Sequence, residues 1–241
     1  SKEFDGQYEI PTFGEILALV ASKAKDAGRP VGVYPETKHP GFYLAKGYDF
    51  ERPLLNALQS FEAGPVYIQS FEPEILKGLK GKTNAKLVQL VYEKEPGAGP
   101  NIVLEEIAKY ADGVGAAKSL IVSKDDVNIF DINAHDLGLF VHFWTMRSDL
   151  SNELLIGVFQ NASPSGMYEK LIRCDIWTAE PLMCIEGESR PYTREELRDP
   201  AFELQFYFGR SDGVFTDFPD TAVRVRTEVE KANGKFPWEL E

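Results

Sequence analysis

Cysteine and histidine are both scarce in this chain. Its 241 residues hold two cysteines, Cys174 and Cys184, and three histidines, His39, His135 and His142. Two cysteines so close together fit neither a zinc site nor a disulfide-dense scaffold. There is no Ser-His-Asp arrangement, no Gly-rich phosphate loop and no HExxH pattern. Positive charge is also short, with 26 Lys and Arg against 38 Asp and Glu, a formal net charge of −12. That balance argues against nucleic acid as the main partner, because phosphate backbones require basic stripes. It argues equally against docking on anionic membranes. No apolar run approaches the roughly 20 residues that span a bilayer, so no transmembrane segment is expected. Low-complexity tracts are absent, as is any linker that would support a second domain. The opening "SKEFDGQYEIPTF" is polar and aromatic, unlike a secretory signal. It lacks an initiator Met, so the natural start is expected upstream and export is left open.

Hydrophobic residues make up 43% of the chain, an ordinary globular proportion with ample material for a core. The expectation is one domain over residues 1–241. An acidic protein that handles a phosphate ester must concentrate positive charge locally, through a metal or a single well-placed Lys.

Six short apolar runs read as buried parallel strands: Val31–Tyr34, Val66–Gln69, Ala85–Val91, Gly113–Ala116, Leu139–Trp144 and Gly213–Thr216. Such strands look continuously apolar because helices cover both faces of the sheet. Helical stretches fall between them. In "TFGEILALVASKAKDAG", Thr12 and Glu15 make a capping-box pattern, an apolar stripe runs through Ile16, Leu17 and Val20, and Gly28 is the stop. "DFERPLLNALQSF" and "GPNIVLEEIAKYADG" are weaker versions, and "DPAFELQFYFGR" reads as the last helix. The first five strands recur every 20–35 residues or so, as repeated βα units do. The stretch from Asp149 to Asp212 breaks this rhythm and reads as a long excursion off the core. It is expected to fold over the strand ends, with Tyr168, Trp177 and Met183 as an apolar wall. Its Cys174 and Cys184 either close a disulfide or remain free buried thiols.

In parallel α/β architectures the site lies at the carboxyl ends of the strands. Those ends carry Glu36 and Lys38; Gln69, Ser70 and Phe71; His142, Trp144 and Thr145; and Thr216 and Asp217. Pro35 keeps Tyr34 extended, and Glu36 and Lys38, two apart, point to one side. A Glu offers a hard oxygen ligand for Ca²⁺ or Mg²⁺, and a Lys offers point charge to a phosphate oxygen. Spacing alone favours a plain Glu–Lys ion pair on a loop over this ligand role. His39 is expected on a solvated loop and His135, in "DINAHDLG", at the surface. His142 shares a strand face with Trp144 and either lines the site or is a hydrogen-bonded core residue.

With these residues assembled, the chain resembles the glycerophosphodiester phosphodiesterase family. "GVYPETKHP" is similar to that family's Glu-x-Lys strand end, "VYIQSF" to its next strand, "FVHFWTMRSD" to its seventh and "SDGVFTDFPD" to its eighth. "IPTFGEIL" resembles the helix lead-in before the Glu-x-Lys strand. Each motif is weak alone, but they occur in family order along nearly the whole chain. The resemblance implies a (β/α)₈ TIM barrel that cleaves glycerophosphodiesters such as glycerophosphocholine into glycerol phosphate and an alcohol, with a divalent metal, Ca²⁺ or Mg²⁺. It implies Glu36 as a metal ligand and Lys38 as the catalytic phosphate-holding residue. Gln69, Phe71 and His142 become substrate-binding candidates, and Trp144 would pack on the glycerol moiety.

The departure from the family lies at the amino end. The His-Arg-Gly motif of its first strand does not occur here, and the Glu3-x-Asp5 and His135-Asp136 pairs do not follow such a strand in the family's order, so the amino-terminal motifs are read as missing. The six runs therefore correspond to the family's strands three to eight, and the missing amino-terminal strands are expected upstream in a longer protein. Without them, residues 1–241 alone are expected to be insoluble or molten and inactive. Alternatives of another kind are a non-catalytic phosphodiester-binding module and a phospholipase D-like activity on lysolipids or sphingomyelin.

Overall fold

The computed structural model describes residues 2–95, 97–121, 129–147 and 210–233. Within that range the chain is α/β, and its named strand pairs are parallel. It forms two compact units, Ser1–Gln89 and Leu90–Glu241. The Asp149–Asp212 excursion lies outside the described residues apart from its last three positions, and so do Cys174, Cys184 and nearly all of "DPAFELQFYFGR".

The first unit opens with α1 (Phe13–Ala27). The expected capping box is formed: the Thr12 hydroxyl accepts from Glu15 N at 3.3 Å, and the Glu15 carboxylate accepts from Thr12 N at 2.7 Å. These bonds hold the Glu15 carboxyl below its usual range. Gly28, at φ 62°, closes the helix by donating to the Ala24 and Lys25 carbonyls. A left-handed cap of this kind suits a residue without a Cβ.

The run Val31–Tyr34 does not form the continuous strand expected of it. It forms two isolated parallel bridges instead, Val33 to Val66 and Glu36 to Gln69. Proline is the reason. Val33 N donates to Pro65 O, Tyr67 N to Val33 O, Gln69 N to Pro35 O and Thr37 N to Gln69 O, all at 3.0 Å. The remaining rung would run from residue 35 to Tyr67 O, and Pro35 has no N–H to supply it. The geometry is that of a parallel pair with one rung removed. The approach is also close at its start. A Cβ on Gly64 would stand 2.5 Å from the carbonyl carbon and oxygen of Val31.

Beyond this segment come α2 (Pro40–Leu44), α3 (Glu51–Leu58), β1 (Tyr67–Ser70), α4 (Pro73–Leu79) and β2 (Lys86–Val91). Pro40 and Pro73 open their helices, where a missing N–H costs nothing. β1 and β2 pair from Tyr67↔Lys86 to Ser70↔Gln89. Ile68, Val88, Leu76 and Leu79 are fully buried, and α4 packs on β1.

The second unit contains α5 (Leu104–Ile107), β3 (Gly113–Ala117), a 3₁₀ turn at Lys118–Leu120, α6 (Phe130–Asp136), β4 (Phe140–Met146), β5 (Gly213–Thr216) and α7 (Pro219–Asn233). β4 pairs with β3 and with β5, with a register shift between Phe143 and Met146 on the β5 side. Val141 and Phe143 point into the core with no exposed surface, while Phe140, His142 and Trp144 share the other face. The neighbouring strand leaves room for these rings by carrying glycine. A Cβ on Gly113 would lie 2.4 Å from the Phe140 ring.

His135 is not the surface residue that its polar surroundings suggest. It is half-buried, and its Nε2 donates to Asp212 Oδ2 at 2.9 Å. The same carboxylate oxygen accepts from Val141 N at 2.7 Å. Beside it, fully buried Asp131 takes a bidentate pair from Arg210 at 2.7 and 3.1 Å. These contacts tie α6 to the amino ends of β4 and β5, the end opposite Trp144 and Thr216. In parallel α/β folds that end serves stability.

Candidate active site

Glu36 and Gln69 are bridge partners at the carboxyl end of the first unit's strands. They therefore sit level with each other on one face. Glu36 Oε2 lies 3.5 Å from Lys38 Nζ, so the two side chains do turn to the same side. The Glu36 side chain keeps 21% of its surface exposed, whereas that of Lys38 keeps 73%. An ion pair so open contributes little stability, on the order of 0–1 kcal/mol, so stability alone gives this geometry little reason to exist. His39 follows on an exposed turn at φ 52°, as expected of it.

Gln69 is nine-tenths buried, yet its Oε1 accepts no hydrogen bond among the described residues. A buried acceptor left empty costs about 1–3 kcal/mol. A donor that displaced the packing over this oxygen would recover the loss. Phe71, at the next same-face position, is 40% exposed, and its carbonyl accepts from Gln89 Nε2 at 3.0 Å.

In the second unit His142 and Trp144 share one face of β4, as strand alternation requires. Trp144 Nε1 donates to Gly115 O at 2.9 Å, which fixes its indole over β3. His142 packs 4.7 Å from the Phe140 ring and against Gly213. Burial pushes its imidazole down to about 4, with the Asp212 charge opposing, so it is neutral at pH 7.

The fit to a divalent cation is partial. Glu36 offers a carboxylate and Gln69 an amide oxygen at the same level, both hard donors. Among the described residues no group of three or more His, Cys, Asp or Glu could hold a metal ion.

Residues 1–162 match the glycerophosphoryl diester phosphodiesterase family. The chain belongs to that family. Glu36, Lys38, Gln69, Phe71, His142 and Trp144 all fall inside the matched stretch. Among curated relatives, the chain is similar to a glycerophosphodiester phosphodiesterase of Haemophilus influenzae, with 27% identity across 90% of this chain and 58% of that protein. It is similar to one of Treponema pallidum, with 24% identity across 90% of this chain and 60% of that protein. A Bacillus subtilis enzyme of the same name is 29% identical over 64% of this chain and 51% of its own length. The chain thus spans about three-fifths of the first two relatives.

Sequence reasoning did not single out Thr37 and Gln89, and noted Ser70 only as part of a polar strand end. The signal was present, because Gln89 stands alone in the otherwise apolar run "LVQLV". A polar residue inside a buried strand is informative in a way that an exposed apolar residue is not. In the structure Gln89 and Ser70 have no exposed surface.

Proposed function

We propose that this chain carries part of the active site of a glycerophosphodiester phosphodiesterase built on a (β/α)₈ barrel. Water would be added across the phosphodiester, giving glycerol phosphate and an alcohol. The observation that carries the reading is the buried Gln69 Oε1, without a donor among the described residues, level with Glu36, whose carboxylate lies 3.5 Å from the Lys38 ammonium. Two oxygen acceptors and one cation on one strand end suit a ligand with hydroxyl donors and an anionic phosphate.

Each side chain has a distinct task in this reading. Lys38 holds a phosphate oxygen by a charge-assisted contact, and its exposed ammonium is accessible to an incoming anion. Gln69 accepts from a glycerol hydroxyl, and the half-exposed Phe71 ring bounds the same face. Glu36 is one ligand of a divalent cation, Ca²⁺ or Mg²⁺. When bound, such a cation supplies Lewis-acid polarisation of the phosphoryl oxygens. Membership of the family supports the reaction class.

The test is hydrolysis of glycerophosphocholine by the full-length protein, with and without chelator, for wild type and Glu36→Gln. That substitution keeps the shape and removes the charge. The expected result is chelator-sensitive turnover in wild type and a loss of at least tenfold in the variant, together with weaker metal binding. Near-normal turnover by Glu36→Gln without added metal would refute the assignment. Substrate binding without any turnover would identify a phosphodiester-binding module instead.

A further inference from the structure

We propose that Ser70 and Gln89, with the Thr37 carbonyl, form a buried positioning row. It holds the Glu36–Lys38 segment at the angle the active site requires. The inference rests on the functional reading above and deepens it.

The row follows from register. Glu36 pairs with Gln69, so Thr37 stands beside Ser70, and Ser70 in turn pairs with Gln89. Three polar residues therefore lie side by side across three adjacent chain segments, on the face opposite Glu36 and Gln69. Thr37 is 8% exposed, and Ser70 and Gln89 not at all. Ser70 Oγ donates to Thr37 O at 3.1 Å. Gln89 Nε2 donates to Ser70 O at 3.1 Å and to Phe71 O at 3.0 Å. Glu72 N donates to Ser70 Oγ at 3.1 Å, and the Glu72 carboxylate accepts from Gly41 N at 2.8 Å. The row thus runs from β2 through the end of β1 and closes around the turn that follows Lys38.

Two physical arguments favour a positioning role over simple core filling. An apolar side chain would fill either position without the desolvation cost of a hydroxyl or an amide. The backbone also needs the help. Pro35 has already deleted one rung of the ladder that holds this segment. The Thr37 carbonyl is the acceptor that the next rung of a continued parallel ladder would use, and the Ser70 hydroxyl reaches it in place of a backbone N–H. Lost backbone anchoring is replaced, next to Glu36 and Lys38, by the Ser70 hydroxyl, and Gln89 holds the Ser70 and Phe71 carbonyls behind it.

The test compares Ser70→Ala and Gln89→Met with Leu76→Ala in the full-length protein. Leu76 is a fully buried apolar residue of α4 and serves as a destabilised control. Calorimetric titration of Ca²⁺ and of glycerol phosphate is run beside kcat and KM for glycerophosphocholine. Both polar variants should bind Ca²⁺ about three- to tenfold more weakly and lose about as much in kcat/KM, the worth of a hydrogen bond. Leu76→Ala should lower the melting temperature and leave both quantities near wild type. If Ser70→Ala and Gln89→Met bind and turn over like wild type while Glu36→Gln is inactive, the positioning role fails and the functional reading stands. If Glu36→Gln is also fully active, the functional reading fails first. Loss of the folded state in both polar variants would make the row a folding element and overturn the proposal.

Discussion

Replacing His142 with Asn should remove a pH dependence of stability that the wild-type protein carries. Burial depresses the imidazole from 6.5 to about 4 in the folded protein. Between those values the unfolded chain binds a proton that the folded chain refuses. Stability therefore falls as pH drops from 6.5 toward 4, and the residue has no such effect above 6.5. At about 1.4 kcal/mol per pH unit, the window corresponds to roughly 3 kcal/mol. Its neighbours act differently. His135 is desolvated, but its hydrogen bond to Asp212 and the charges of Asp212, Asp131 and Asp136 raise its affinity for the proton. Its contribution is complete below 6.5 and is lost as pH rises through its folded value. Asp212 is held below 3.8 by His135 and the Val141 amide against its own desolvation, so its contribution is lost only in stronger acid. The difference between wild type and His142→Asn isolates one ring from these opposing trends. Urea unfolding followed by tryptophan fluorescence at pH 7.5, 6, 5 and 4.5 measures it, with NMR titration of the His142 ring as a direct check. Parallel stability curves for the two proteins, or a ring titrating near 6.5, would refute the desolvation argument.

Two further substitutions probe the packing. Arg210→Met strands the fully buried Asp131 carboxylate, and a loss of about 3–5 kcal/mol is expected from urea midpoints; an unchanged midpoint would show that the pair carries no stability. Gly64→Ala places a Cβ 2.5 Å from the Val31 carbonyl, so backbone must part from backbone. The expected cost is about 1–3 kcal/mol, with faster hydrogen exchange at the Val31 and Val33 amides, whose acceptors are Ala63 O and Pro65 O.

Much of this molecule was legible one residue at a time, because the signals concerned act over short distances. Thr12, Glu15 and Gly28 satisfy the ends of α1 from within a few positions, so the helix could be read with its caps. Gly213–Thr216 was read to the residue. Alternation alone put His142 beside Trp144 and Glu36 on the side of Lys38. The parity of a strand is a property of the backbone and needs no partner. Pro35 was read for its effect on the residue before it; its second effect, the deleted rung, exists only once residues 63–69 lie alongside.

Partners distant in sequence were decided by the tertiary structure alone. "DINAHDLG" looks solvated as a string, and it is buried at His135 because Asp212 arrives from 77 positions away. Asp131 is buried for the same kind of reason, with Arg210 79 positions distant. Charged residues enter a core only when paired, and the sequence does not name the pair. Gln89 could be noticed in its apolar strand, but its task required the register that sets it beside Ser70 and Thr37. Gln69 gave the same letter whether satisfied or not, and only packing left its oxygen buried, level with Glu36 and without a donor among the described residues. Chain-local chemistry determined which groups stand at the strand ends. Folding determined which of them meet, because desolvation and hydrogen-bond satisfaction depend on what surrounds a group in space.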